Sequence, residues 1–172
     1  MARLKSEIAL NRDFSGLHEA AFLALVWTWD RIEKLGRLFF AGYGITDAQF
    51  NTLMILWDYR ERTLRQHELA ELLVVNRASM GGVLERMERN GWIVRTVDAE
   101  DRRAQRVTLS AAGVAKLTEV RVPYYRLLSQ VFHDTPAEGL QDSILFLDRL
   151  RSTVRNAEKG KLKQRSSKAG DR

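Results

Sequence analysis

Residues 65–110 read RQHELAELLVVNRASMGGVLERMERNGWIVRTVDAEDRRAQRVTLS. Within this stretch Met80, Val83, Leu84 and Met87 recur at i, i+3, i+4 and i+7, which places them on one stripe of an α-helix. The other side of the same helix carries Arg77, Ser79, Gly81, Gly82, Arg86 and Arg89. The helix is predicted from an Asn76 cap to Asn90, with Gly91 ending it. A shorter helix over about 66–73 precedes it, with Leu69, Leu72 and Leu73 inward and the small Ala70 where another helix approaches. After Gly91 the period changes. Trp92 to Val97 is β-branched and aromatic, which reads as a strand; Asp98 to Arg103 is charged and turn-like; Arg106 to Leu109 alternates with Val107 and Leu109 on one face. The order is helix, tight turn, helix, hairpin.

Outside this stretch the chain reads as helix. Upstream, Thr46-Asp47-Ala48-Gln49 has the spacing of a capping box, followed by Phe50, Leu53, Met54 and Trp57 as a buried face and a polar loop over Arg60 to Thr63. Further upstream a long helix is predicted over 15–42, capped by Ser15 and ended by Gly42 and Gly44. Its apolar positions Phe22, Leu25, Trp29, Ile32 and Phe39 make a stripe wide enough to need cover from more than one neighbour, a partner subunit among them. Downstream, Ser110 caps a helix over 111–132 that Pro123 is expected to kink or split. Thr135-Pro136-Ala137-Glu138 opens a last helix with Leu140, Ile144, Leu147, Leu150 and Val154 as its apolar stripe. From 158 to 172 the chain is mostly Lys, Arg, Ser and Gly with one Leu, which reads as a basic disordered tail behind a single domain over 1–157.

Composition narrows the function. The 172 residues are 45 % apolar and 29 % charged, an ordinary make-up for a soluble globular chain. With 28 Lys and Arg against 22 Asp and Glu the formal net charge is +6, which favours a polyanionic partner. The absence of Cys removes disulfides, thiolate zinc sites, Cys nucleophiles and thiol redox sensing together. His18, His67 and His133 share no metal spacing, and no Gly-rich phosphate loop or nucleophile elbow is present, so no metal, cofactor or enzyme activity is expected. No signal peptide or membrane-spanning run occurs, and the expected location is the cytoplasm.

The fold expected is therefore mainly α with a small β-hairpin wing: a winged helix-turn-helix over 46–110 between N- and C-terminal helices. A helix apolar inside and Arg/Ser/Gly outside suits the major groove of duplex DNA, where small residues let the backbone approach and Arg supplies contacts to guanine or phosphate. Arg102 and Arg103 at the hairpin tip are placed to reach a neighbouring minor groove or phosphate.

Several segments of the chain resemble the multiple antibiotic resistance regulator (MarR) family of winged-helix repressors. Gly44-Ile45-Thr46-Asp47-Ala48-Gln49-Phe50 and Glu68-Leu69-Ala70-Glu71-Leu72 are similar to the openings of its second and third helices. Leu84 to Ile93 is similar to the end of its recognition helix and the strand that follows. Asp101-Arg102-Arg103 with Val107-Thr108-Leu109-Ser110 and Gly113 is similar to its wing and next helix start. The resemblance implies a homodimer joined through 15–42 and 111–157, and DNA contacts by Arg77, Ser79, Gly81, Gly82 and Arg86. It also implies a wing of Asp101, Arg102 and Arg103 in which Asp101 holds an arginine, Arg103. It implies further a small-molecule effector pocket between the dimer helices and the DNA-binding core, often for aromatic carboxylates or phenols; Trp27, Arg31 and Trp57 are its candidate residues. Two positions depart from the family pattern. Gly82 stands where a polar or basic contact is common, and Arg65 replaces a Ser or Thr cap. Solvated surface arginines and packed aromatics stand beside these site readings. A winged-helix protein-interaction scaffold, or a DNA binder without effector, stands beside the functional one.

Overall fold

The computed structural model describes residues 2–73 and 77–169, with side chains for 3–73 and 80–160. Contacts divide the chain into two compact units, Met1–Pro123 and Tyr124–Arg172, where the sequence reads as one domain over 1–157.

The first unit holds the winged helix. A short helix α1 (Ala2–Glu7), not expected from the sequence, precedes α2 (Leu17–Ala41). Ser15 does not cap α2; Gly16 takes that place without a side-chain bond, and the Ser15 backbone N–H donates to the Glu19 carboxylate at 2.6 Å. That bond and the Arg12 guanidinium, the larger influence, hold the Glu19 carboxyl down at about 2. Next, α3 (Asp47–Asp58) starts on the expected capping box: the Gln49 N–H donates to Thr46 Oγ1 at 3.2 Å and the Thr46 N–H to Gln49 Oε1 at 2.9 Å. Its buried face is Phe50, Leu53 and Leu56, whereas Met54 and Trp57 are only half-buried.

A two-residue strand β1 (Leu64–Arg65) leads into α4 (Gln66–Leu72), and α5 (Arg77–Arg89) follows. Strands β2 (Ile93–Val97) and β3 (Gln105–Leu109) form the hairpin. β1 makes it a three-stranded antiparallel sheet in the order β1-β3-β2, pairing Leu64 with Val107 and Arg65 with Arg106. Met80, Val83, Leu84 and Met87 are all buried, as their spacing requires, and α5 packs on α3, α4 and β2. In α4 the inward pair is Leu69 and Leu73. Leu72, the last residue of α4, is 40 % exposed, whereas Leu73, just past the helix end where the chain turns extended, is buried. The Asn76 cap lies outside the described residues.

Helix α6 (Ala111–Val131) runs through Pro123 without a break, and the boundary between the units falls just after that proline. In the second unit α7 spans Ala137–Ala169. It continues through the segment read from sequence as a disordered tail; Lys, Arg and Gln are good helix formers and no proline stops them. Among the described residues no helix is long and apolar enough to cross a membrane, and no cluster of acids and histidines could hold a metal ion.

Candidate nucleic-acid interface

Two kinds of arginine divide this fold. Arg65, Arg95 and Arg106 are engaged within the chain. Arg65 Nε donates to Asp98 Oδ2 at 2.7 Å, Arg106 Nε forms an ion pair with the same oxygen at 2.7 Å, Arg65 Nη2 reaches Glu100 at 3.1 Å, and Arg106 Nη1 donates to Thr63 Oγ1 at 2.7 Å. Arg95 pairs with Glu88. Asp98 is fully buried, and its Oδ1 accepts the backbone N–H groups of Glu100 and Asp101 at 2.8 and 3.2 Å. Arg65 above all, then these N–H groups, holds the Asp98 carboxyl far below the usual carboxylate range, and the Arg65 guanidinium is raised in return. The wing is thereby bolted to the residue that opens α4.

Arg86, Arg89, Arg102 and Arg103 are exposed, and among the described residues none has a hydrogen bond or ion pair from its guanidinium. Arg86 and Arg89 project from the side of α5 opposite its buried stripe; Arg102 and Arg103 stand at the wing tip. Side chains of Arg77 and Ser79 lie outside the described residues. Gly81 and Gly82 are half-buried on α5. A Cβ added at Gly81 would lie 4.0 Å from Gln66 Nε2, and one at Gly82 would lie 3.7 Å from Arg86 Nη1, so the chain itself has room for alanine at both. Glycine inside a helix costs about 1 kcal/mol against alanine. Nothing in this fold returns that cost.

The expected tie between Asp101 and Arg103 differs in kind. Asp101 Oδ1 accepts the backbone N–H of Arg103 at 3.0 Å, which shapes the wing turn and leaves the guanidinium free. The acid that holds arginines is Asp98, whose partner Arg65 is 33 residues away in sequence. No local pattern marks that pair; the only signal was an arginine where the resemblance expects a hydroxyl cap.

Between α4, α5 and the wing runs a groove of ≈ 520 Å³ lined by Gln66, His67, Ala70, Met80, Val97 and residues 101–105. A second, apolar groove of ≈ 700 Å³ lies where α2 meets α3, lined by Lys34, Arg37, Leu38, Phe40, Ala41, Ile45, Thr46 and Asp47. None of the effector candidates lines it. Arg31 instead stacks on Trp27 at 4.6 Å, while Trp57 lies under Arg60 at 4.9 Å and Arg121 at 5.9 Å. Those aromatic faces are already occupied by the chain's own guanidiniums.

The model of the MarR family matches residues 45–104, from the end of the α2–α3 turn through the wing. Over these residues the winged-helix core is similar to the MarR family. The relatives it matches are named as HTH-type transcriptional regulators. The HTH-type transcriptional repressor YetL of Bacillus subtilis is 28 % identical over 113 residues, 66 % of this chain and 68 % of the relative. A MarR mutant from E. coli, complexed with operator DNA, superposes with a TM-score of 0.70 at 18 % identity, over 81 % of this chain and 99 % of the other. The organohalide sensing RdhR transcriptional regulator, in its 2,4-dichlorophenol bound form, gives 0.72 at 18 % identity, over 84 % and 87 %. At that identity the two structures bear on the fold. The match ends before Arg106, which pairs with Asp98.

Proposed function

We propose that this chain is a homodimeric repressor that lays two copies of α5 into successive major grooves of a pseudo-palindromic operator and is released by a small aromatic or phenolic effector. The observation that carries the reading is the division of the arginines. Those that build the fold are paired. Arg86 and Arg89 on the outer side of α5 and Arg102 and Arg103 on the wing tip have no partner among the described residues, as side chains that meet phosphates and base edges require. Arg77, Ser79, Gly81, Gly82 and Arg86 would face the groove, and Asp101 would shape the wing that carries Arg102 and Arg103.

Exposed apolar surface supports the dimer. On α2, Phe22 and Trp29 are each 64 % exposed, and on α7 Ile144 is 63 % exposed with Leu145, Phe146 and Val154 beside it in sequence. Stripes of that kind are interaction sites in soluble proteins. The 2,4-dichlorophenol bound to RdhR supports an aromatic effector. In this chain the apolar groove at Phe40 and Ile45, with Lys34 and Arg37 on its rim, suits a small aromatic molecule bearing negative charge. To release DNA, such a molecule must bind the DNA-incompetent state more tightly than the competent one.

Fluorescence anisotropy against a duplex selected from a random pool tests the reading. Arg86→Ala weakens binding by about 1–3 kcal/mol and relaxes preference at one base position, and Arg103→Ala lowers the salt slope by about 1. A wild-type chain that retains no duplex at any salt concentration overturns the DNA reading and leaves the scaffold. Adding 2,4-dichlorophenol is expected to release the duplex; binding untouched by a panel of phenols and aromatic carboxylates refutes the effector.

The glycine pair gives a test of opposite signs. Gly81→Ala and Gly82→Ala each raise the melting temperature by about 2–4 °C, because about 1 kcal/mol of helix propensity is regained. Each also weakens duplex binding, because the methyl stands where the DNA backbone approaches. Melting and anisotropy on the same samples check it; variants that bind as tightly as wild type remove the glycines from the interface.

A further inference from the structure

We propose that the groove between α4, α5 and the wing seats a phosphate of the DNA backbone, with the Gln66 amide and the His67 imidazole acting as donors beside Arg102 and Arg103. This rests on the duplex-binding reading and extends it to a helix that the sequence assigned to packing alone. Gln66 is half-buried and His67 exposed, and both line the ≈ 520 Å³ groove. Among the described residues neither side chain has a hydrogen bond. Their neighbour Arg65, one position earlier, is fully engaged by Asp98 and Glu100. Across the groove Arg102 and Arg103 are likewise unpaired. The one acid in the lining, Asp101, already accepts the Arg103 backbone N–H, so two arginines face one carboxylate. Four free donor side chains from two separate elements therefore converge on one space, with a cationic excess. Gly81 stands beside Gln66: a Cβ added there would lie 4.0 Å from the amide nitrogen, in ordinary contact with it. A strand leaving the major groove at α5 on its way to the wing passes over this space, and a phosphodiester is the anion it offers.

The test uses the full chain and a fluorescent duplex selected from a random pool, read by anisotropy at three salt concentrations, with thermal melting alongside. Gln66→Glu is the decisive variant. Glutamate in the first turn of a helix is favoured, so stability holds or rises. A phosphate beside it is repelled, so the Kd rises about tenfold, most at low salt. His67→Ala raises the Kd about threefold to tenfold. Replacing phosphates one at a time by neutral methylphosphonates then finds one position where wild type loses affinity and His67→Ala loses little more, the non-additivity expected of groups in contact. If wild type binds duplex with the expected salt dependence while both variants stay within twofold of it, the seat is refuted and the duplex reading stands. If wild type binds no duplex, both fall.

Discussion

Replacing Gly113 by alanine lowers the melting temperature of this protein by about 6–12 °C. An alanine Cβ at this position would lie 1.9 Å from the Trp92 carbonyl oxygen and 2.9 Å from its carbonyl carbon, both backbone atoms that cannot swing aside. The surroundings are fastened as well. The Ser110 N–H donates to that same Trp92 oxygen at 3.1 Å, Ser110 Oγ donates to the Gly91 carbonyl at 2.5 Å and accepts the Gly113 N–H at 3.0 Å. Gly91 itself sits at φ +72, a conformation that glycine adopts without strain. The end of α5, the start of β2 and the start of α6 thus meet at one crowded point. Forcing a methyl group into such a site costs about 3 kcal/mol, more than the helix propensity gained, and at about 2–4 °C per kcal/mol this gives the stated fall. Circular dichroism melting checks it, with Gly82→Ala as the control of opposite sign. An unchanged melting temperature would mean that α6 starts without touching the Trp92 carbonyl.

Asp98→Asn is expected to loosen the wing. The carboxylate accepts the Arg65 guanidinium at Oδ2 and two backbone N–H groups at Oδ1, and it is ion-paired with Arg106 at Oδ2. An amide has one acceptor oxygen and an NH₂ group, so either the arginines or the wing turn face a donor with nothing to receive them. The melting temperature falls by about 5 °C or more. Duplex affinity falls too, because Arg102 and Arg103 ride on the turn that Asp98 holds. Acid makes a second readout. The folded-state pKa of Asp98 lies below its unfolded value, so the stability it contributes is complete above the unfolded value of about 3.9 and is lost as pH falls below it. Urea midpoints of wild type therefore drop below about pH 4, and the Asn variant loses that part of the acid dependence. Parallel curves for the two proteins would show that Asp98 carries no net linkage.

The amphipathic stripe of α5, the capping box of α3 and the two strands of the wing were legible because each is written within a few residues: a period, a cap, a change from helical spacing to alternation. The outward face of α5 was legible for the same reason, since what is not on the buried stripe of a helix faces away from it. Leu72 was misplaced because its i+3 spacing from Leu69 was read as inward, whereas the residue that covers the core there is Leu73, just past the end of α4. The basic tail was read as disordered from its polarity, although polarity and helix propensity are different properties of lysine and arginine.

What sequence alone determined here is local: which segments are helix or strand, which side of each is apolar, and that Arg86 and Arg89 point outward from α5. Tertiary structure decided which charges are left over. Arg65 becomes structural only because a third strand, two residues long, carries it to Asp98 across a separation of 33 residues. Tertiary structure also set Arg31 against Trp27 and Arg60 against Trp57, and it gathered Gln66 and His67 with the wing around one groove. The physical reason is one of range. Hydrogen-bond periodicity and capping act between near neighbours along the chain, whereas ion pairing acts through space between groups that no periodicity links.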